Sequence, residues 1–122
     1  MSKIGYMPQS NLSLMHKLTV MEHIKLMCDL KGYQGNLEKH IDDILTTFNL
    51  AMDFESTIDR LGRFKRRKLA LAMAVCGDSD IIFLDEPTHG VKKEKRQLIW
   101  ALIKQYTKGK TVILATEDAE EA

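Results

Sequence analysis

The chain has 122 residues, of which 44% are hydrophobic and 29% charged, and its formal net charge is +1. These values are typical of one globular domain, and they exclude a disordered chain and a collagen-like repeat. The near-neutral charge gives no general reason to expect a polyanionic partner. The longest apolar run, over 69–76, is far shorter than the roughly 20 residues of a membrane-spanning helix. Because Met1–Lys3 leads straight into a strand-like segment, no signal peptide is expected.

The cysteines and histidines show no spacing typical of metal ligands. Cys28 and Cys76 lie far apart, and each falls within an apolar helical pattern. The histidines occur singly, at positions 16, 23, 40 and 89. We therefore expect reduced cysteines in the core, and neither a zinc site nor a disulfide framework.

The first elements are a strand and a capped helix. Ile4–Met7 is apolar and stops at Pro8, which predicts a strand that ends in a loop. Thr19 and Glu22 have the spacing of a capping box, so a helix should begin there. Apolar residues follow at helical spacing until Gly32, which suits a C-terminal cap: Val20, Ile24, Met27 and Leu30.

Two further helices are predicted before residue 77. One begins near Asn36 and carries a single apolar stripe: Leu37, Ile41, Ile44, Leu45 and Phe48. Residues 51–60 form a connection. The next helix runs from about Arg63 to Cys76, with Gly77 as its stop, and its second half is apolar all round, so most of its faces should be buried.

The last stretch predicts a strand–helix–strand unit. Ile81–Leu84 is a continuous apolar run, and Thr111–Thr116 is another, which favours two strands buried on both faces of a parallel sheet. A helix over 93–106 separates them, with a core face of Leu98, Ile99, Leu102, Ile103 and Tyr106. The expected fold is thus α/β, with a small parallel sheet whose bare edges indicate a piece of something larger.

Asp85 and Glu86 are the sharpest chemical feature. Two adjacent carboxylates after a buried strand, followed by Pro87, have the form of a Walker B strand. In P-loop NTPases the aspartate at this place helps to hold Mg²⁺, and a carboxylate one residue later can polarise the attacking water. On the pattern alone, the alternative that the two acids merely cap a turn or the following helix stays open.

Several segments, taken in order, resemble the nucleotide-binding domain of ATP-binding-cassette (ABC) transporters, and most closely the A subfamily associated with lipid export. Ile4–Gln9 is similar to the strand and Q-loop of the family, and Leu18–His23 is similar to a helix start. Lys65–Ala72 is similar to the run after the signature motif, and Ile82–Val91 is similar to Walker B and the D-loop entry. Thr111–Thr116 is similar to the last core strand, and Glu120–Ala122 is similar to the segment after it.

This resemblance implies a partial P-loop NTPase sheet with an inserted α-helical subdomain. The helical subdomain would be residues 10–76, and residues 1–9 and 77–122 would be a fragment of the catalytic core. It also implies ATP and Mg²⁺ as cofactors, with Gln9 sensing Mg²⁺ and the attacking water, Asp85 holding Mg²⁺ and Glu86 polarising the water. The partners would be a second nucleotide-binding domain and the transmembrane domains of a parent transporter, at the cytoplasmic face of a membrane.

The sequence also departs from the family pattern. The resemblance predicts Ser-Gly-Gly after Leu61, where this chain has Gly62, Arg63 and Phe64. In the family these residues contact the γ-phosphate bound by the opposite subunit, so residues 61–65 would be a degenerate contact. Lys92 and Lys93 replace the Asp-Pro of the D-loop, and Glu117 stands at the switch histidine, where an ionised carboxylate repels phosphate.

The largest departure is the phosphate-binding loop. The pattern Gly-x-x-x-x-Gly-Lys-[Ser/Thr] occurs nowhere in the 122 residues. Without its amides and lysine, we expect this chain by itself to be soluble and inactive as an ATPase. The alternative is a degenerate half-site or interaction module from a truncated gene, which catalyses nothing.

A basic run leaves a further alternative. Six of the nine residues from Arg60 to Lys68 are basic. This run could be a patch for nucleic acid or an anionic membrane, as in a DNA-associated ATPase, but a solvated helix face is the interpretation we favour. No nucleic-acid partner is expected.

Overall fold

The computed structural model describes residues 3–10 and 14–116. Its sheet has three parallel strands, β1 (Ile4–Met7), β2 (Ile81–Asp85) and β3 (Thr111–Ala115), with β2 in the centre. The helices are α1 (Val20–Leu30), α2 (Leu37–Thr47), α3 (Arg63–Val75) and α4 (Lys93–Tyr106). Two short 3₁₀ turns, Ala51–Asp53 and Ile58–Arg60, occupy the predicted connection. The predicted α/β class and its parallel sheet are confirmed.

Local hydrogen bonds fix both ends of α1 as predicted. Thr19 Oγ1 accepts a hydrogen bond from the Glu22 N–H at 3.2 Å, and Glu22 Oε1 accepts one from the Thr19 N–H at 2.9 Å. At the other end Gly32 has a φ of +70°, and the Tyr33 N–H donates to the Cys28 carbonyl at 3.0 Å. This is a Schellman cap, which requires the left-handed conformation that glycine adopts without strain.

The C-terminal end of α3 is tied to α1 and β1. Lys31 Nζ donates to the carbonyls of Met73, Ala74 and Cys76 at 2.8, 3.0 and 2.8 Å, so a cation lies at the negative end of the helix. A Cβ on Gly5 would lie 1.7 Å from the Ala74 carbonyl oxygen. Only glycine therefore allows β1 to approach α3 this closely.

One face of the sheet holds the core. Gly5, Met7, Ile82 and Leu84 are buried there, and α3 packs against both β1 and β2. Ile99 and Ile103 of α4 belong to the same core. The predicted burial of the apolar half of α3 is confirmed, since every residue over 67–75 is buried.

The prediction that β2 and β3 are buried on both faces is wrong. Tyr6, Phe83 and Ile113 are register neighbours across the sheet and are 57%, 37% and 48% exposed. In the described part of the chain the helices cover only the opposite face. Apolar runs resemble doubly buried strands whether or not a second layer is present, which explains the error.

The expected core face of α4 is correct except at Leu98. Ile99 and Ile103 are buried, and Leu102 and Tyr106 pack against the core, but Leu98 is 54% exposed. Tyr106 stacks obliquely on Phe48, with ring centroids 5.2 Å apart.

The helices form one packed unit with the sheet. α1 contacts α2 and α3, and α3 in turn contacts the sheet. The division into residues 10–76 and residues 1–9 with 77–122 stays a prediction. Within residues 3–10 and 14–116, no helix is both long and apolar enough to cross a membrane.

Candidate functional site

The carboxyl ends of the strands converge on one cavity. Gln9 follows β1, Asp85 is the last residue of β2 with Glu86 directly after it, and Thr116 follows β3. All four residues line a cavity of about 580 Å³, together with His89, Leu114 and Ala115. Ligands of open parallel sheets bind at this end of the strands. The structure thus brings together the three residues Gln9, Asp85 and Glu86 that the sequence singled out for ATP and Mg²⁺ chemistry.

Glu86 adopts a left-handed backbone conformation, with a φ of +46°. For a residue other than glycine this costs about 1–3 kcal/mol and persists only where the surroundings hold it. The Glu86 N–H donates to the Ala115 carbonyl at 2.8 Å, and Thr116 Oγ1 donates to Glu86 Oε2 at 3.4 Å. Contacts from β3 therefore hold both the backbone and the carboxylate of Glu86 at the cavity.

Gln9 and His89 meet across the cavity. Gln9 Nε2 lies 3.4 Å from His89 Nδ1, although the two residues are 80 positions apart in the sequence. If His89 Nδ1 accepts, the Gln9 amide oxygen remains available as a ligand for a cation.

Arg67 connects the loop after β1 to the end of β2. It is buried, and its guanidinium donates to the Pro8 carbonyl at 3.0 Å and to the Glu86 carbonyl at 3.1 Å. It also donates to the Pro87 carbonyl, at 3.2 and 3.3 Å. Arg67 therefore fixes the backbone beside Gln9, Asp85 and Glu86 at the same time.

The expectation of a solvated basic helix face is wrong for Arg67 and Lys68, which are both buried. The run over 60–68 thus presents fewer cations than its composition indicates. Helical spacing was the available signal, because Arg67 stands four positions before Leu71 and seven before Ala74, on the face that packs inward.

Asp85, the last residue of β2, supplies a negative charge close to the buried guanidinium of Arg67. Burial lowers the pKa of the Arg67 guanidinium, and the negative charge of Asp85 raises it again. Since arginine stays protonated in proteins, this pair places a permanent positive charge behind the acidic end of the strand.

The donor set fits Mg²⁺ bound together with phosphate. Asp85, Glu86, Gln9 and Thr116 offer carboxylate, amide and hydroxyl oxygens, the hard ligands that Mg²⁺ prefers. The described residues contain no group of three or more His, Cys, Asp or Glu that could hold a metal alone. Mg²⁺ commonly binds through one or two carboxylates, with waters and substrate phosphates as its other ligands.

The residues at the degenerate signature position lie elsewhere, at the N-terminus of α3. Gly62 is the exposed N-cap and contributes no side-chain cap. The Arg63 side chain packs over Gly90, where an added Cβ would lie 3.1 Å from Arg63 Cδ. The Phe64 ring lies 4.8 Å from the ammonium groups of both Lys68 and Lys95.

None of Gly62, Arg63 and Phe64 lines the Gln9–Asp85 cavity among the residues the structure describes. Their predicted contact is with a nucleotide held by another subunit, so it stays a prediction. Lys92 is the N-cap residue of α4. Glu117, the predicted switch position, lies outside the described residues.

Comparison with known proteins shows the family and the fold of this chain. The family model described as "ABC transporter" matches residues 1–89. The solved dimeric ATP-binding cassette MJ0796, in a post-hydrolysis state bound to ADP and Pi, matches with a TM-score of 0.84 and 26% identity. That match covers 99% of this chain and 55% of the solved chain.

The curated relatives include members of the A subfamily. ABC transporter A family member 6 of Dictyostelium discoideum is 39% identical over 87% of this chain. The human retinal-specific phospholipid-transporting ATPase ABCA4 is 36% identical over 98% of it. The chain spans only 7% and 5% of the length of these two relatives. The chain therefore belongs to the ABC transporter family, as an ATP-binding cassette segment like those of the A subfamily.

Proposed function

We propose that this chain is part of an ATPase domain that, in an intact parent, couples ATP binding and hydrolysis to transmembrane transport. The convergence of Gln9, Asp85 and Glu86 on one cavity at the carboxyl edge of the sheet carries the proposal. Mg²⁺ would supply charge neutralisation for the phosphates when bound.

The residues of the cavity have separate roles in this proposal. Asp85 and Gln9 would hold Mg²⁺ at the ends of β2 and β1. Glu86 would accept a hydrogen bond from the attacking water and so polarise it. The hydroxyl of Thr116, which already donates to Glu86 Oε2, would keep the carboxylate oriented toward the cavity.

The uncovered face of the sheet supports the proposal that this chain is part of a larger protein. Tyr6, Phe83 and Ile113 leave an apolar row exposed, which the remainder of a cassette would cover. The partners of the parent would be a second nucleotide-binding domain and transmembrane domains. Because one relative is named a phospholipid-transporting ATPase, we propose a lipid as the transported substrate.

Binding of Mg-ATP by the 122-residue chain tests the expected weakness of the isolated site. Calorimetry should detect no saturable Mg-ATP site with a Kd below about 1 mM, since the chain contains no glycine-rich phosphate loop. Micromolar affinity would show that residues within this chain hold the triphosphate unaided.

A hybrid cassette tests the catalytic roles. The half of a cassette that carries the phosphate loop is fused ahead of Met1, and Mg-ATP binding and phosphate release are measured. Glu86→Gln should keep binding but slow hydrolysis by about 10²–10⁴-fold. Asp80→Asn is the matched control, because Asp80 is an acid at the opposite end of β2 and binds the Lys3 N–H. Equal hydrolysis by Glu86→Gln and the unmodified hybrid would refute the role of Glu86.

A non-catalytic half-site is the second candidate. It is supported by the bulk of Arg63 and Phe64 at the start of α3, where a family glycine pair would leave room for phosphate. This candidate predicts that the hybrid binds Mg-ATP and releases no phosphate, with or without Glu86→Gln.

A further inference from the structure

The Gln9 side chain is exposed, so its orientation at the cavity depends on the groups that it touches. A glutamine amide has two ends of nearly equal shape: an oxygen that can bind a cation and an NH₂ group that cannot. Because the rotamers of an exposed glutamine are otherwise free to interchange, a fixed neighbour is needed to select one end. His89, which lines the same cavity, is such a neighbour.

The backbone holds His89 and Gln9 close to each other. The His89 N–H donates to the Glu86 carbonyl at 2.9 Å, within the turn that follows β2. Arg67 donates to the same carbonyl at 3.1 Å, and to the carbonyl of Pro8, directly before Gln9, at 3.0 Å. One buried guanidinium therefore holds both stretches of backbone, and the side chains of Gln9 and His89 meet in front of it.

The tautomer of the His89 ring decides which end of the amide it binds. Gln9 Nε2 lies 3.4 Å from His89 Nδ1, and a neutral ring with its proton on Nε2 presents Nδ1 as an acceptor. In this tautomer the hydrogen bond engages the NH₂ group and leaves the amide oxygen for a cation. In the other tautomer Nδ1 would donate to the amide oxygen, and the oxygen would be lost as a ligand.

We propose that His89 is a positioning residue for the Mg²⁺ site, which accepts a hydrogen bond from the Gln9 amide at Nδ1 and so presents the amide oxygen to the cation beside Asp85. The inference rests on the proposed function, because His89 acts through a ligand of that site. His89 need not bind the cation itself, since Mg²⁺ prefers oxygen ligands to imidazole. The two residues stand 80 positions apart, so no local sequence pattern indicates the pair.

Nitrogen-15 NMR of the imidazole rings in the 122-residue chain tests the hydrogen bond without any metal. At about pH 8.5, where imidazole rings are neutral, the His89 proton should lie on Nε2. Gln9→Ala removes the donor and should shift the His89 Nδ1 resonance, whereas the resonances of exposed His16, in the turn before α1, should not move. A proton on Nδ1, or an Nδ1 resonance that Gln9→Ala leaves in place, would overturn the proposal.

A Mg²⁺ titration of the same chain, followed by the amide shifts of Asp85 and Thr116, tests the role of the contact. His89→Leu should raise the half-saturating Mg²⁺ concentration by about 3–10-fold, which corresponds to one lost hydrogen bond. His89→Asn should restore it to within about twofold, because the Asn side-chain oxygen can accept in place of Nδ1. His16→Leu is the matched control and should leave the titration unchanged.

The coupling between the two residues separates positioning from a general structural effect. If His89 acts through Gln9, His89→Leu should have no further effect in a Gln9→Ala background, where no amide remains to be oriented. Equal weakening in both backgrounds, or no rescue by His89→Asn, would overturn the inference and leave the proposed function standing. Absence of Mg²⁺-dependent shifts at Asp85 in the unmodified chain would overturn the proposed cation site, and this role of His89 with it.

Discussion

Arg67 joins segments that are remote in sequence but adjacent at the site. Its bonds reach 59 positions back to Pro8 and 19 positions forward to Glu86. All the bonds to Pro8, Glu86 and Pro87 end on carbonyl oxygens, so the guanidinium positions backbone. A buried arginine with several acceptors offsets its desolvation cost by the hydrogen bonds that it donates.

Arg67→Met should therefore lower the free energy of unfolding by about 2–4 kcal/mol. The methionine keeps the apolar stem but leaves the carbonyls of Pro8, Glu86 and Pro87 without these donors. Chemical denaturation measures the loss. Arg66→Met is the matched control, since half-exposed Arg66 donates to one described acceptor, the Ile58 carbonyl at 3.1 Å, and should cost about 1 kcal/mol or less. Equal losses in the two variants would contradict the positioning role of Arg67.

At the scale of the elements, two histidines anchor the helical part of the chain as neutral rings. His23 Nε2 accepts from the Met15 N–H at 2.8 Å, and His23 Nδ1 donates to the Thr19 carbonyl at 2.7 Å. Because an amide only donates and a carbonyl only accepts, the proton must lie on Nδ1. His40 Nε2 likewise accepts from the Gly77 N–H at 2.9 Å, and its ring stacks on Tyr33.

These contacts predict a loss of stability in mild acid. Burial lowers the pKa of His23 and of His40 below 6.5, so the unfolded chain takes up protons first as pH falls. The stabilisation is complete above about pH 6.5 and declines below it, by up to about 1.4 kcal/mol per pH unit for each histidine, until the folded-state pKa is reached. Denaturant unfolding at about pH 7.5, 6.5 and 5.5 measures the slope.

The double variant His23→Gln/His40→Gln is the control for this slope. Glutamine can still accept a hydrogen bond but does not titrate, so the variant should show a flatter profile above pH 5. The pKa values of Glu22 and Asp59 are also lowered in the folded chain. Because their reference pKa values are 4.5 and 3.8, these carboxylates change the stability only at more acidic pH than the histidines do. An unchanged slope would show that the histidines are not responsible.

For the whole molecule, the uncovered face of the sheet is the main weakness. Tyr6, Phe83 and Ile113 form a continuous apolar row on it, and β1 and β3 are both edge strands in the described sheet. Exposed apolar surface next to unpaired strand edges favours association between chains. We therefore expect the chain by itself to be marginally stable.

Analytical ultracentrifugation of the chain should accordingly give an average molar mass that rises with protein concentration. Tyr6→Glu/Ile113→Glu should suppress this association, since two carboxylates would interrupt the apolar row. Leu30→Glu is the control, because Leu30 is also exposed but lies at the end of α1. A monomer with a sharp, reversible melt, or equal suppression by Leu30→Glu, would argue against association through the sheet.

Local sequence patterns were sufficient to predict the helices, the strands and the two acids at the end of β2, whereas Gln9 was identified only through the family resemblance. The capping box at Thr19, the stripe that begins at Leu37 and the apolar run before Asp85 depend on neighbours within a few residues, and the structure has the corresponding helices and strand where they were predicted. The ends of parallel strands meet at one edge, so Gln9, Asp85 and Glu86 could be expected together. Their proposed roles came from the family resemblance.

The sequence by itself thus determined the order and type of the helices and strands, the parallel sheet, and the place of Asp85 and Glu86 at its carboxyl edge, whereas Thr116 and His89 were not predicted at the cavity. Only the tertiary structure decided which surfaces are covered: Phe83 is exposed, whereas Arg67 and Lys68 are buried. The reason is physical. Helix and strand periods arise from backbone geometry within a segment, but burial depends on which distant segments pack against it. A single sequence does not reveal those pairings: helical spacing places Arg67 on the inward face of α3, but it does not show which distant carbonyl groups the guanidinium meets.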